Sequence, residues 1–316
     1  MSSEERRTGI AVAPAHHGEI LQGIFAVDGH LKRGLVTLPC EIYTARACFT
    51  AIEAQGITVS PTWKSKAKRA AELTVAALRE HGIGAFGGYL KVTSRIPLGQ
   101  GFGSSTSDVL AAIWAVADAF SIQLPAAIVA KLAVAAELAS DSLMFEESSV
   151  LFAHRDGEVI EDFGNCLPGM HVVGFMTRPR SEGVDTLALA PARYSKKEIE
   201  ILCELRSDLR EAIVKKNIEL LGKVATASTE INQRYLPIPN LERIESIGKA
   251  TGSAGIQVSH SGNIAGLLFD HGDPDILARM GDSRVMLESA GFNEQWQFST
   301  DARNLNRTQQ VHFSQE

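Results

Sequence analysis

Apolar positions along the chain switch between a period of two and a helical period, and the switches mark the predicted elements. Ile10 to Ala13 is a short apolar run stopped by Pro14, and residues 36–38, 42–49 and 57–59 read as strands set off by Gly29, Gly34, Pro39 and Gly56. Ala70, Leu73, Ala77 and Leu78 share one face of a predicted helix over 67–81, and Gly82 stops it. Residues 89–96 alternate as a half-buried strand does, ending at Pro97. Val109, Ala112, Ile113, Val116, Ala117 and Phe120 then recur at helical spacing, and Pro125 opens a further helix to about Ser140. Two apolar runs, 150–154 and 158–160, flank Asp156-Gly157, a hairpin signal. A second block starts near Gly169 with a strand over 171–176. A long charged amphipathic region over 196–235, one helix or two, is broken by Pro237 and Pro239. Next come a helix over 241–249, two apolar runs over 255–270 split by Ser261-Gly262-Asn263, a helix over 276–290 and a last strand over 296–298. The pattern predicts an α+β protein of two closely packed lobes, 1–166 and 167–316.

Composition narrows the class without naming a function. Hydrophobic residues make up 45% and charged residues 22%, so disorder and fibrous repeats are excluded. Thirty-one basic against 37 acidic side chains give a net charge of −6, which disfavours nucleic acid as a partner. The four cysteines form no C-x-x-C and read as reduced thiols. The sequence has no apolar run of membrane-spanning length and no apolar core behind its N-terminal charges, so a cytoplasmic protein without a membrane partner is expected.

The chemistry concentrates in Pro97-Leu98-Gly99-Gln100-Gly101-Phe102-Gly103-Ser104-Ser105, which runs straight into the periodic helix. Glycines at alternate positions allow a tight turn and close approach to a ligand. The amides and dipole of the helix start that follows suit phosphate, and a serine hydroxyl can reach a Mg²⁺ ion. A glycine-rich turn that merely caps a core helix is the competing reading. No G-K-[ST], complete G-x-G-x-x-G or G-x-S-x-G occurs, which removes the P-loop, the dinucleotide fingerprint and the hydrolase elbow. His154-Arg155-Asp156 and Asp162-Phe163-Gly164 spell protein-kinase tripeptides, but they lie too close together, and Glu161 stands where that catalytic loop needs Asn. Further on, Glu137 and Asp141 are four apart on the predicted helix and would share a face. They read either as a metal ligand beside a group at the substrate, or as a solvated helix edge.

Pro97-x-x-x-Gly101-Phe102-Gly103-Ser104-Ser105 resembles the P-x-x-x-G-L-G-S-S signature of the GHMP kinases. Within them the sequence is similar to the L-threonine kinases of cobalamin biosynthesis through Pro14 to Gly23, Ser104-Ser105-Thr106-Ser107-Asp108 and the acidic stretch from Glu137 to Phe145. The resemblance implies a GHMP kinase fold, with an N-terminal lobe like the second domain of ribosomal protein S5 and a C-terminal ferredoxin-like lobe. It implies ATP at Pro97, Gly99, Gln100, Gly101, Phe102, Gly103, Ser104, Ser105 and Thr106, and Mg²⁺ on Ser105 and Glu137. It implies Asp141 beside the phosphoryl acceptor, with His17, Glu19, Gln22, Ser261 and Gly262 lining the acceptor pocket. Phe102 replaces the usual Leu, His16 and His17 replace small residues, and Ser259-His260-Ser261-Gly262 is a degraded third motif.

The implied activity is transfer of phosphate from ATP to the side-chain hydroxyl of L-threonine or a close relative. Homoserine or a specialised-metabolite alcohol as acceptor, and a non-catalytic ligand-binding protein on the same fold, are the alternatives. An amino-acid acceptor needs a cation for its carboxylate, and Arg178, Arg180 and Arg193 are candidates, each also readable as surface charge. Lys64, Lys66, Lys68 and Arg69 could touch nucleotide, with a solvated helix start as the preferred reading. The resemblance leaves a homodimer open.

Overall fold

The computed structural model describes residues 7–53, 55–179 and 192–300. Its N-terminal part is built on a long hairpin, β1 (Thr8–Val27) and β2 (His30–Ala51), turned at Asp28-Gly29, both with positive φ. Sequence reading broke this hairpin at Pro14 and Pro39. The strands continue through both because the ladder slips there: Pro14 pairs with Thr44 but Ala15 with Cys40. A proline is tolerated in a strand where such an irregularity relieves it of a ladder bond. β4 (Gly88–Ser94) pairs antiparallel with β2, and β3 (Ile57–Ser60) parallel with β4. Helices α1 (Ser65–Glu80), α2 (Ser104–Ala119) and α3 (Ala126–Glu137) cover these strands. β5 (Val150–Ala153) and β6 (Glu158–Asp162) form the hairpin expected around Asp156-Gly157 and join β2 at Leu35–Phe152.

The remaining strands are β7 (Met170–Met176), β8 (Gly255–Val258), β9 (Ile264–Asp270) and β10 (Gln295–Thr300), all antiparallel in the order β10-β7-β9-β8. Between β7 and β8 lie α4 (Lys196–Lys215), α5 (Ile218–Asn232) and α6 (Leu241–Thr251), and between β9 and β10 lies α7 (Ile276–Ser289). That order is the split βαβ, ferredoxin-like arrangement. The long amphipathic region is two helices, because Lys216 takes a left-handed conformation and Asn217 caps α5.

The expected boundary at 166/167 falls between β6 and β7, yet the sheet runs on across it: Glu19 of β1 pairs with Val258 of β8. The core is shared in the same way. Ile20, Leu21, Phe25, Val36 and Leu38 pack in one cluster with Leu202, Leu205, Leu209 and Leu221. Among the described residues, no helix is long and apolar enough to cross a membrane.

Candidate active site

The glycine loop is built for close approach. Gly99, Gly101 and Gly103 have φ of 69°, 89° and 67°, conformations that favour glycine. A side chain at Gly101 would meet the hydroxyls of Ser259 and Ser261 at 2.8 Å, and one at Gly103 would meet His16 Cδ2 at 2.3 Å. Gly103 is the N-cap of α2, and no side chain caps that helix. Its first-turn amides therefore have no side-chain oxygen to bond and are open to an anion.

Ser105 and Thr106 in the first turn of α2 both donate hydroxyl hydrogens to Glu137, to Oε2 at 2.6 Å and to Oε1 at 2.9 Å. Glu137 is 4% exposed, and burial, helped by the nearby charge of Asp141, lifts its pKa to about 7 against the pull of those two hydroxyls. A buried carboxylate beside a serine hydroxyl at an open helix start is an all-oxygen donor set suited to a hard cation such as Mg²⁺.

Glu137 and Asp141 do not share a helical face. α3 ends at Glu137, because Leu138 turns left-handed at φ 72°, and Asp141 lies in the following loop. The loop brings the two together by another route: the Asp141 amide approaches Thr106 Oγ1 at 3.5 Å. Asp141 also faces His16, with Oδ2 at 3.5 Å from Nε2, and His16 Nδ1 lies 3.6 Å from Glu19 Oε1. Burial, with Asp141 adding to it, holds the Glu19 carboxyl well above the usual carboxylate range.

These groups open on a cleft of about 320 Å³. Gly101, Gly103, Ser105, Thr106, Glu137, Asp141 and Ser261 line it, whereas Glu19 does not and lies buried beside His16. Pro97, Gly99, Gln100, Phe102 and Ser104 belong to the loop without lining the cleft. Gln22 stands behind His260, its Oε1 at 2.8 Å from Nδ1, and Gly262 turns the chain while its carbonyl accepts from Thr177 Oγ1.

His17 points the other way. It is fully buried, hydrogen-bonded to Gln257 at 2.7 Å and packed on Phe102, Trp296 and Phe298, and burial pushes its pKa down to about 4. Phe102 packs on Trp296 and Tyr43, so the replacement of Leu serves the loop's underside.

Lys66, one of the basic residues weighed for nucleotide contact, lines the cleft, as do three groups that sequence reasoning missed: Ser140, His154 and Arg155. The residues dismissed as a false kinase tripeptide thus bring a cation and an imidazole to the site. Arg178 instead binds the Pro237 carbonyl, Arg193 is exposed and lines no part of the cleft, and Arg180 lies outside the described residues. Lys64 is not a solvated helix residue. It is buried in an ion pair with Asp108 of α2.

Residues 65–144 match the family described as GHMP kinases N terminal domain. The L-threonine kinase of Citrobacter freundii is 27% identical over 201 residues, 59% of this chain and 64% of that one. The L-threonine kinase of Salmonella typhimurium is 27% identical over 190 residues, 60% of this chain and 62% of that one. The match therefore spans less than two thirds of either relative. The structure of homoserine kinase from Cytophaga hutchinsonii superimposes with a TM-score of 0.65 at 14% identity, covering 95% of this chain and 96% of that one, a likeness of fold. Residues 65–144 thus match the N-terminal domain of the GHMP kinases, and over nearly its whole length, with its ferredoxin-like second half, the chain has the fold of that solved kinase.

Proposed function

We propose that the chain is an ATP-dependent small-molecule kinase that phosphorylates the side-chain hydroxyl of L-threonine or a close relative, releasing ADP. The observation that carries this reading is the pair of hydroxyls, Ser105 and Thr106, held on buried Glu137 directly under the glycine loop. In this reading the loop from Pro97 to Thr106 receives the triphosphate, with the α2 amides at its phosphates. Ser105 and Glu137 would hold a Mg²⁺ ion, whose charge would offset that of the phosphates. Phosphoryl transfer is dominated by positioning and charge stabilisation, so the protein's task is to set the acceptor in line with the γ-phosphorus. Asp141 faces the cleft on the acceptor side and orients the acceptor hydroxyl or takes its proton. The similarity to two L-threonine kinases supports the choice of acceptor.

Homoserine is the second reading, favoured by the full-length likeness in fold to a homoserine kinase. An acceptor screen followed by ADP release and mass spectrometry of the product tests both. Mg²⁺-dependent formation of O-phosphothreonine is the expected result. Phosphohomoserine in its place moves the assignment to the second reading, and no phosphorylated product from any acceptor removes the kinase reading.

A further inference from the structure

His16 is buried between two acids. Its Nε2 faces Asp141 Oδ2 at 3.5 Å and its Nδ1 faces Glu19 Oε1 at 3.6 Å, so each ring nitrogen has a carboxyl opposite it. Glu19 is buried too, and neither its two oxygens nor His16 Nδ1 has a hydrogen-bond partner. Buried polar groups left in this state are costly, and they mark contacts that close when the site is at work. The ring is fixed where the chemistry would happen. The His16 amide donates to the Phe102 carbonyl of the glycine loop at 3.2 Å. A Cβ added at Gly103 would meet His16 Nε2 at 2.7 Å and Asp141 Oδ2 at 3.0 Å, so the facing edges of the two groups lie against the start of α2. The other titratable groups that sense His16 are His17, beside it on β1, and His260, from the turn between β8 and β9. Burial disfavours the charged form of both, so neither competes with His16 for a proton.

We infer that His16 is a proton relay for the transfer: Asp141 takes the proton of the acceptor hydroxyl and passes it to Nε2 of His16, and Glu19 behind the ring holds the imidazolium that forms. The inference rests on the kinase reading above and adds a residue to the chemistry of that same site. The acceptor oxygen bonds to the γ-phosphorus as the bond from that phosphorus to the bridging oxygen of ADP breaks, and the electron pair of the broken bond leaves with ADP. The hydroxyl proton goes to Asp141 and on to His16, and it returns through Asp141 to the cleft once the product has left. The relay has a driving force, because a free imidazole holds a proton more than about 100-fold more tightly than a free carboxylate. Moving the proton inward frees Asp141 as a carboxylate again, so the hydroxyl faces a base that does not fill up. Glu19 does not line the cleft, which suits a group that touches only the ring. A base oriented by a third group on its far side is the usual build of a proton-accepting pair. Burial favours the neutral form of Glu19 in the resting site, and an imidazolium beside it favours the charged one.

The test uses single-turnover phosphorylation of the acceptor that the screen above identifies. His16→Gln keeps a hydrogen bond to Asp141 but cannot carry a proton. It is expected to lower the rate about 100-fold, with KM for ATP and for the acceptor changed by less than about threefold. Glu19→Gln keeps the shape of the side chain but cannot ionise, and a rate loss of about 10-fold is expected. In His16→Ala, added imidazole is expected to raise the rate by at least about 10-fold, in proportion to its free-base fraction. Pyrazole, a ring of the same shape and far weaker basicity, is expected to restore nothing. Calorimetric binding of ATP checks that each variant is folded. If His16→Ala fails that check, the two glutamine variants decide by themselves. A rate in His16→Gln within about threefold of the wild type overturns the inference, as does a loss confined to KM. Equal rescue by pyrazole and imidazole also overturns it and makes the ring a spacer under the glycine loop. ADP formation that ignores His16 ends the relay alone, whereas no ADP from any acceptor removes the kinase reading and the relay with it.

Discussion

Glu137 meets two opposed demands. Its carboxyl is buried at the end of α3, which lifts its pKa from 4.5 to about 7, while the cation chemistry proposed for it needs the ionised form. A carboxyl whose folded pKa is raised stabilises the fold below its unfolded pKa and loses that contribution as pH climbs through the folded value. The window here runs from about pH 4.5 to pH 7, and the shift corresponds to a loss on the order of 3 kcal/mol above it. Glu137→Gln is therefore expected to resist urea better than the wild type at pH 8, with the gap closing towards pH 4.5, while its turnover falls by about 100-fold or more. Ser105→Ala removes one hydroxyl, so denaturation curves are expected to move by about 1 kcal/mol or less while turnover drops far more. The sequence exposed these residues unevenly. Ser105 opens the helix that follows a loop whose glycines announce themselves. The exit of α3 did not, because a leucine at φ 72° carries no local signal. His16 and His17 are neighbours in a strand and so face opposite sides, and no pattern within the segment tells which side is the cleft.

At the scale of the elements, the loop and α1 are both fastened to α2. The three loop glycines share a left-handed backbone but not their surroundings. An added Cβ at Gly99 would meet nothing within 4 Å, whereas at Gly103 it would strike the His16 ring. Gly99→Ala is expected to cost about 1 kcal/mol of backbone strain, and Gly103→Ala clearly more, with a loss of nucleotide affinity that the first variant lacks. Denaturation and nucleotide titration of the two side by side give the comparison. Lys64 precedes α1 and is buried against Asp108, with Trp63 beside its Nζ at 4.3 Å from the ring centre. Lys64→Met leaves a buried acid unpaired and is expected to cost about 3–5 kcal/mol, whereas Lys64→Met with Asp108→Leu recovers most of that. The charge pattern hid this pair, since four basic residues in a row of six look solvated, and only the partner 44 residues away decides otherwise. The long hairpin was hidden for a related reason. Prolines were legible as breaks, but the register slips that accommodate them depend on both strands at once.

Across the whole molecule, the layout of two α+β halves was legible because strands and helices alternate with clear periods. Their union was not, because it rests on contacts such as Leu202 against Gly23, where an added Cβ would lie 2.5 Å from Leu202 Cδ1. Strand β1 carries His16 and Glu19 of the site, pairs with β8 and lends Ile20, Leu21 and Phe25 to the core of the second half. Cutting at 166/167 would expose that apolar face, so the isolated fragment 1–166 is expected to aggregate or lack a cooperative melt, while the intact chain unfolds in one transition. Size-exclusion chromatography and calorimetry read both outcomes.

The aromatic wedge beneath the glycine loop gives the chain a built-in optical reporter. Trp296 of β10 has its ring centre 5.1 Å from that of Phe102 and 5.5 Å from that of His17, so an indole from the far end of the sequence senses the underside of the glycine turn. Filling the turn with nucleotide should change that indole's emission without any attached dye, and Trp296→Phe should silence the signal while Trp63 and Trp114 go on glowing.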